Sequence, residues 1–214
     1  MWYIHLFFSV PFIVTSLGFW YLDLYTKFIS YRYKDQDRNH LVKIYKNIIP
    51  LVTFNLLILH PFLTFLTSYF VTINTDYDSF DALQCLSTIL FCIVVYDVIF
   101  YLVHRLFHKK FIFDQIHYKH HELKTTVGVG GIFTHPIEYA VCNFSPGFIG
   151  LYLIGTHHLY TICILSIAAG AGAAMTHSGY YGTHIKHHWS RNCYYSVYGL
   201  MDYLLNTGEE KTTR

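Results

Sequence analysis

Fifteen histidines stand in this 214-residue chain, as many as its lysines and arginines together, and twelve of them fall between His104 and His188. Neutral imidazole is the commonest metal-binding side chain in proteins, so their spacing is the first thing to read. His104 and His108 lie four apart after an apolar run, one helical turn apart on one face. His117, His120 and His121 form H-x-x-H-H, and His184, His187 and His188 repeat it. In each repeat the first ring is three and four positions from the others, so a helix can bring all three to one face. His177 stands seven residues before the last box, two turns along if the helix continues. A metal ion takes four to six donors, so these nine residues suffice for two ions and predict a dinuclear site. Imidazole binds iron, zinc, copper and nickel, and affinity order alone does not choose among them.

Carboxylates are sparse around the boxes, which argues against the Glu-x-x-His pattern of soluble di-metal bundles. Asp97, Asp114 and Glu138 are the acids placed to accept the second ring N–H of a ligand. Asp97 lies seven residues before His104 on the same predicted face, inside an apolar stretch, where an ionisable group is itself a functional signal. His5, His40 and His60 read as interfacial or core side chains.

The elements that position these residues are written in the composition. The chain is 53% hydrophobic and only 13% charged, with a mean hydropathy of +0.32. A soluble domain carries about 25% charge, so this is membrane-protein composition, and a net charge of +2 gives no reason to expect a nucleic-acid partner. A bilayer needs about 20 apolar residues per helix. Such stretches run from Trp2 to Leu22, from Ile48 to Ile73 and from Leu83 to Val103. A longer one from Ile137 to Met175 is broken by Gly155, Thr156, His157 and His158 and reads as a helical hairpin. The expected fold is all-α, an integral membrane protein of four to five transmembrane helices with a histidine-rich cytosolic cap. The opening stretch lacks the basic start and small-residue end of a signal peptide and reads as a retained anchor. Ala168 to Ala174, all alanine and glycine, reads as a close helix-packing face. Pro11 and Pro61 are expected to kink their helices. The five cysteines are odd in number and mostly within apolar runs, so they read as small buried hydrophobes rather than disulfides.

Basic residues set the expected sidedness. Lys27, Arg32, Lys34, Arg38, Lys43 and Lys46 follow the first span, whereas Asp76, Asp78 and Asp81 follow the second. Arg105, Lys109, Lys110, Lys119 and Lys124 follow the third, and Lys186 and Arg191 follow the hairpin. All the histidine boxes then face the cytoplasm, and His157 and His158 lie across the bilayer from them, away from any metal. Gly128-Val129-Gly130-Gly131 lacks the strand and the Lys-Ser or Lys-Thr that a phosphate loop requires. Asn143-Phe144-Ser145 is a formal glycosylation sequon, but it sits in an apolar run.

The ordered motifs resemble the membrane-bound fatty acid hydroxylase superfamily, which includes sterol desaturases and C-4 methylsterol oxidases. They are Asp97 through Phe100-Tyr101 to His104-Arg105-Leu106-Phe107-His108, then His117-Tyr118-Lys119-His120-His121-Glu122 and His135-Pro136-Ile137-Glu138. His177-Ser178-Gly179-Tyr180, His184-Ile185-Lys186-His187-His188 and a closing Asn192, Tyr195 and Met201-Asp202 complete the set, over residues 90 to 208. The His-Pro-x-Glu and His-Ser-Gly-Tyr pieces look most like the methylsterol oxidase branch. The resemblance implies an N-terminal anchor over 1–82 and a catalytic domain over 83–214. It implies two iron ions held by His104, His108, His117, His120, His121, His177, His184, His187 and His188, with zinc able to replace iron during a preparation. It adds His135 and Asn192 to Asp97, Asp114 and Glu138 as residues around or completing the ligand set. It also implies O₂-dependent oxidation of a sterol, fatty acyl or sphingolipid substrate in the endoplasmic reticulum, with electrons from a separate cytochrome b5 and an NAD(P)H reductase. Two departures stand out. The seven residues from His177 to His184 are fewer than the family's spacing, which predicts a reshaped entrance or a displaced His177. Asp202 lacks the usual flanking Trp and Arg. A metal transporter and an inactive lipid-binding relative are the alternative readings.

Overall fold

The computed structural model describes residues 2–26, 38–180 and 184–208. Five helical stretches are long and apolar enough to cross a membrane: Tyr3–Tyr25, Asn39–Thr67, Ala82–Phe107, Pro136–Ile154 and Leu159–His177. The all-α integral membrane class is what the structure shows, and the last two stretches are the expected hairpin.

Helix α1 (Leu6–Tyr25) contains Pro11. The second span is α2 (Arg38–Phe54), a π-helical turn at Asn55–Leu59 and α3 (His60–Thr67). It therefore begins well before Ile48 and ends before Ile73. Lys43 and Lys46 belong to α2 rather than to a loop, because an amphipathic first half continues the helix beyond its apolar core. Lys27, Arg32 and Lys34 lie outside the described residues. Pro61 sits at the start of α3 just after the π turn, where its missing N–H is already accommodated.

Strand β1 (Thr72–Asn74) pairs in parallel with β2 (Thr156–His158), so the end of the second span meets the hairpin turn. Helix α4 (Ala82–Phe107) is capped by Asp81, whose carboxylate accepts from the Leu83 and Gln84 N–H groups. Short helices α5 (Lys110–Ile112), α6 (Tyr118–His121) and α7 (Pro136–Glu138) cross the opposite end of the bundle. Helix α8 (Ser145–Ile154) ends at Gly155, whose φ of 85° makes the hairpin turn, and α9 (Leu159–His177) returns. Helices α10 (His184–Ser190) and α11 (Leu200–Leu204) close the described chain.

The alanine and glycine stretch of α9 packs on α1 as its composition predicts: a Cβ on Gly170 would stand 2.3 Å from the Phe8 carbonyl oxygen. Gly128–Ile132 forms a 3₁₀ turn wedged against α1 and α9, so its glycines serve close packing. Asn55 fixes this turn from the π segment, donating from Nδ2 to the carbonyls of Ile132 and Thr134 at 3.0 and 2.9 Å. Asp23, buried at the end of α1, accepts from the Tyr45 and Tyr180 hydroxyls at 2.6 and 3.1 Å. The first helix is thereby tied to the segment that follows His177.

Candidate metal centre

The histidines gather at one end of the bundle in two abutting groups. His104, His108, His117, His121 and His187 form the first, and His120, His177, His184 and His188 the second. Within each group one ring nitrogen from every member lies within 4.8 Å of all the others. The groups touch through His121 and His188, whose ring centroids are 4.8 Å apart. Among the described residues no Cys, Asp or Glu joins either group.

The boxes do not each supply one site. Consecutive helical residues point about 100° apart, so His120 and His121 diverge, and so do His187 and His188. His117 and His121 go to the first group while His120 crosses to the second. His184 and His188 go to the second while His187 crosses to the first. A π turn at Phe113–His117 sets the phase of the first of these boxes. His177 and His184 meet with ring centroids 4.5 Å apart, so their short separation in sequence does not displace His177.

Hydrogen bonds fix which nitrogen is free in four of the nine rings and orient a fifth. His104 Nδ1 lies 2.7 Å from the Tyr195 carbonyl, His187 Nδ1 2.7 Å from that of Cys193, His120 Nδ1 3.1 Å from that of Phe133 and His177 Nδ1 3.2 Å from that of Ala173. A carbonyl only accepts, so each Nδ1 carries the proton and each Nε2 presents a lone pair. Glu138 Oε1 lies 2.8 Å from His117 Nδ1 and is placed to accept the same N–H there. The His104 and His117 Nε2 atoms then face each other at 3.2 Å, and those of His120 and His177 at 3.3 Å, lone pair against lone pair. His108 Nε2 is 3.0 Å from both His117 Nε2 and His187 Nε2, and one N–H can serve only one of them. His121 Nδ1, His184 Nε2 and both nitrogens of His188 have no hydrogen-bond partner.

Such a set is repulsive by itself and fits a shared cation. Metal–nitrogen bonds of about 2.1 Å place neighbouring donors ~3.0 to ~3.4 Å apart, the spacing seen here. Burial supports the same reading. It is the main cause that lowers the His120 imidazole from 6.5 to about 4, and it holds His117, His121, His187 and His188 well below the ordinary range. The rings are therefore neutral, the form that binds metal.

The surrounding acids divide. Glu138 is buried and holds His117. His135 caps α7, its Nδ1 accepting from the Ile137 N–H at 3.2 Å, and so aims Glu138 rather than reaching either group. Asp97 does not meet an imidazole. Its carboxylate accepts from the Tyr198 and Met201 N–H groups at 2.7 and 3.0 Å, because the last helix packs beside α4 at that level. Asp114 is half-exposed and paired with Lys110 at 2.7 Å. Asn192 is exposed. His157 and His158 lie at the far end, bonded to the Leu151 and Asp76 carbonyls. His5, His40 and His60 stand outside both groups, and the His60 ring meets the Tyr139 hydroxyl. The orienting carbonyls escape sequence reasoning because a main-chain acceptor has no side-chain signature. Asp202 is visible in the sequence, but its role as the clamp of the Tyr195–Ser196 turn is not.

Replacing Glu138 with Ala removes the acceptor from His117 and is expected to weaken metal binding about 10- to 100-fold, with Glu138→Gln between it and the parent. Metal titration of the chelator-stripped protein measures this, and unchanged affinity in Glu138→Ala would remove Glu138 from the site.

Comparison with known proteins agrees with this geometry. The fatty acid hydroxylase profile matches residues 89–207. Human fatty acid hydroxylase domain-containing protein 2 is 35% identical over 121 residues, covering 53% of this chain and 36% of its own length. Fatty acid hydroxylase ahd1 of Mycosarcoma maydis is 28% identical over 176 residues, 77% of this chain and 46% of its own. Methylsterol monooxygenase 2-2 of Arabidopsis thaliana is 30% identical over 115 residues, 54% and 41% respectively. The chain thus spans less than half the length of each of these relatives, and no solved structure matches it. The matched segment is more than half of the chain and carries all nine clustered histidines, so the chain belongs to the fatty acid hydroxylase family.

Proposed function

We propose that this chain is the oxygenase part of a lipid-modifying membrane enzyme. Two iron ions, held by the nine clustered histidines, would activate O₂ to hydroxylate, desaturate or demethylate a sterol, fatty acyl chain or sphingolipid. The observation that carries the reading is the pair of abutting all-histidine groups at the end of an apolar bundle. The relatives support the substrate class, since their names cover both fatty acid hydroxylases and a methylsterol monooxygenase. Residues 83–214 would form the catalytic part and 1–82 its anchor, with the histidine end on the cytoplasmic side of the endoplasmic reticulum. There a separate cytochrome b5 and its NAD(P)H reductase would supply electrons.

The chain's own residues have defined tasks in this reading. The Nδ1 acceptors hold each Nε2 toward its ion, Glu138 raises the basicity of His117, and the apolar shell excludes water from the reacting carbon. The two histidine groups would hold the ions, and the metals would supply the O₂ chemistry. A transporter would need polar groups along a path through the spans. The buried Asp97 is instead fully engaged by main-chain donors.

The test uses the protein in nanodiscs with iron, cytochrome b5, reductase, NADPH, a membrane lipid extract and ¹⁸O₂. Bound iron together with a lipid product is the expected result. One ¹⁸O atom in that product identifies hydroxylation or methyl oxidation, and a new double bond without label identifies desaturation. Folded protein with neither metal nor product overturns the reading.

A further inference from the structure

The last helix lies low beside α4. Its start is tied to Asp97, which accepts the Tyr198 and Met201 N–H groups. Asp97 lies ten residues before Phe107, the end of a 26-residue helix, so it is about 15 Å down from that end at 1.5 Å per residue. That helix is about 39 Å long against a hydrocarbon layer of about 30 Å. Centring one on the other puts Asp97 about 10 Å inside the apolar layer and His104 near its edge. With the layer so centred, helix α11 begins at acyl-chain depth, below the histidines.

Its side chains and backbone match that depth. Tyr203, Leu204 and Leu205 are 84%, 61% and 46% exposed. The N–H groups of Tyr203, Leu205, Asn206 and Thr207 donate to the carbonyls of Gly199, Met201, Tyr203 and Asp202, and the Gly199 N–H to the Ser196 hydroxyl. The Asp202 carboxylate takes the N–H groups of Tyr195 and Ser196 and the hydroxyls of Ser196 and Thr207. Internal satisfaction of this kind is optional in water and obligatory in hydrocarbon.

We propose that α11 is inserted in the leaflet at the histidine end, with Tyr203, Leu204 and Leu205 against the acyl chains of bilayer phospholipid. The same segment carries the Tyr195 and Cys193 carbonyls that hold His104 and His187. Lipid contact and the geometry of the first histidine group then share one stretch of chain, independently of which lipid is the substrate.

The intact protein is placed in nanodiscs of phosphatidylcholine bearing an acyl-chain diazirine, photolysed and mapped by mass spectrometry. Adducts on residues 203–205, at yields like those of exposed residues in the five spans, are expected; labelled spans with unlabelled 203–205 overturn the proposal. Hydroxyl-radical oxidation from the water side gives a second reading. Tyr77 is 74% exposed in the far-end loop and serves as the reference. Tyr203 is expected to be oxidised at least about tenfold more slowly, and equal rates would place α11 in water.

Discussion

His188→Ala is expected to lower the metal content from about two ions per chain to about one and to abolish lipid oxidation. His188 belongs to the four-member group, so its loss leaves three imidazoles to hold an ion. Removal of a residue that merely orients a ligand costs about 10- to 100-fold in affinity, so loss of the ligand itself is expected to cost about 100-fold or more. His187→Ala is the informative contrast. It leaves the first group four donors out of five, and the ion is expected to be retained more weakly rather than lost. Elemental analysis of both variants beside the parent reads the difference directly. Equal metal content in the parent and His188→Ala would exclude His188 as a ligand.

A comparable effect on stability is expected where no ligand is touched. A Cβ on Gly131 would stand 2.2 Å from the Ala173 oxygen and 2.8 Å from its carbonyl carbon, with His177 Nδ1 at 3.3 Å. The obstacle is main chain within α9 and cannot rotate away. Overpacking costs about 1 to 3 kcal/mol and occasionally more, and an immovable main-chain obstacle puts this case at the upper end. The Ala173 carbonyl is also the acceptor for His177 Nδ1, so any shift that relieves the clash moves a clustered histidine. Gly131→Ala should therefore unfold at lower temperature and lose metal from the second group. A Cβ on Gly172, one residue before Ala173, would meet nothing within 4 Å, and Gly172→Ala should keep or raise stability, by up to about 1 kcal/mol of helix propensity. Thermal unfolding in one detergent compares them, and matching melting temperatures for the two variants would refute the packing argument.

The parts of this structure legible in the sequence are those with a one-dimensional signature. Apolar length marks the spans, Gly155 marks the hairpin turn, and i, i+4 histidines mark shared helical faces. The start of the second span is hidden because hydropathy reports where lipid lies, not where a helix begins. Arg38 to Lys46 is helical without being apolar throughout. The sharing of each H-x-x-H-H box between two groups is hidden as well. Spacing fixes angles within a helix, whereas the direction in which that helix faces depends on its neighbours. Asp97 shows the same limit: its place on the His104 face is readable, but the last helix that claims its carboxylate is 101 to 104 residues away. Glu138 is legible because His-Pro-x-Glu is a local signal, and the structure gives its physical content as a capped turn that aims one acid.

The crossing of His120 and His187 between groups has a consequence for how far apart the two centres sit. Neither group contains a carboxylate among the described residues, so no acidic side chain sets a bridge length between them. The separation is instead written into α6 and α10. In each, one residue step along the main chain carries the protein from one centre to the other. The two groups are held in register like teeth cut on a single shaft: adjacent residues about 100° apart around each helix feed different groups, and that division lasts for as long as those two short helices keep their turn.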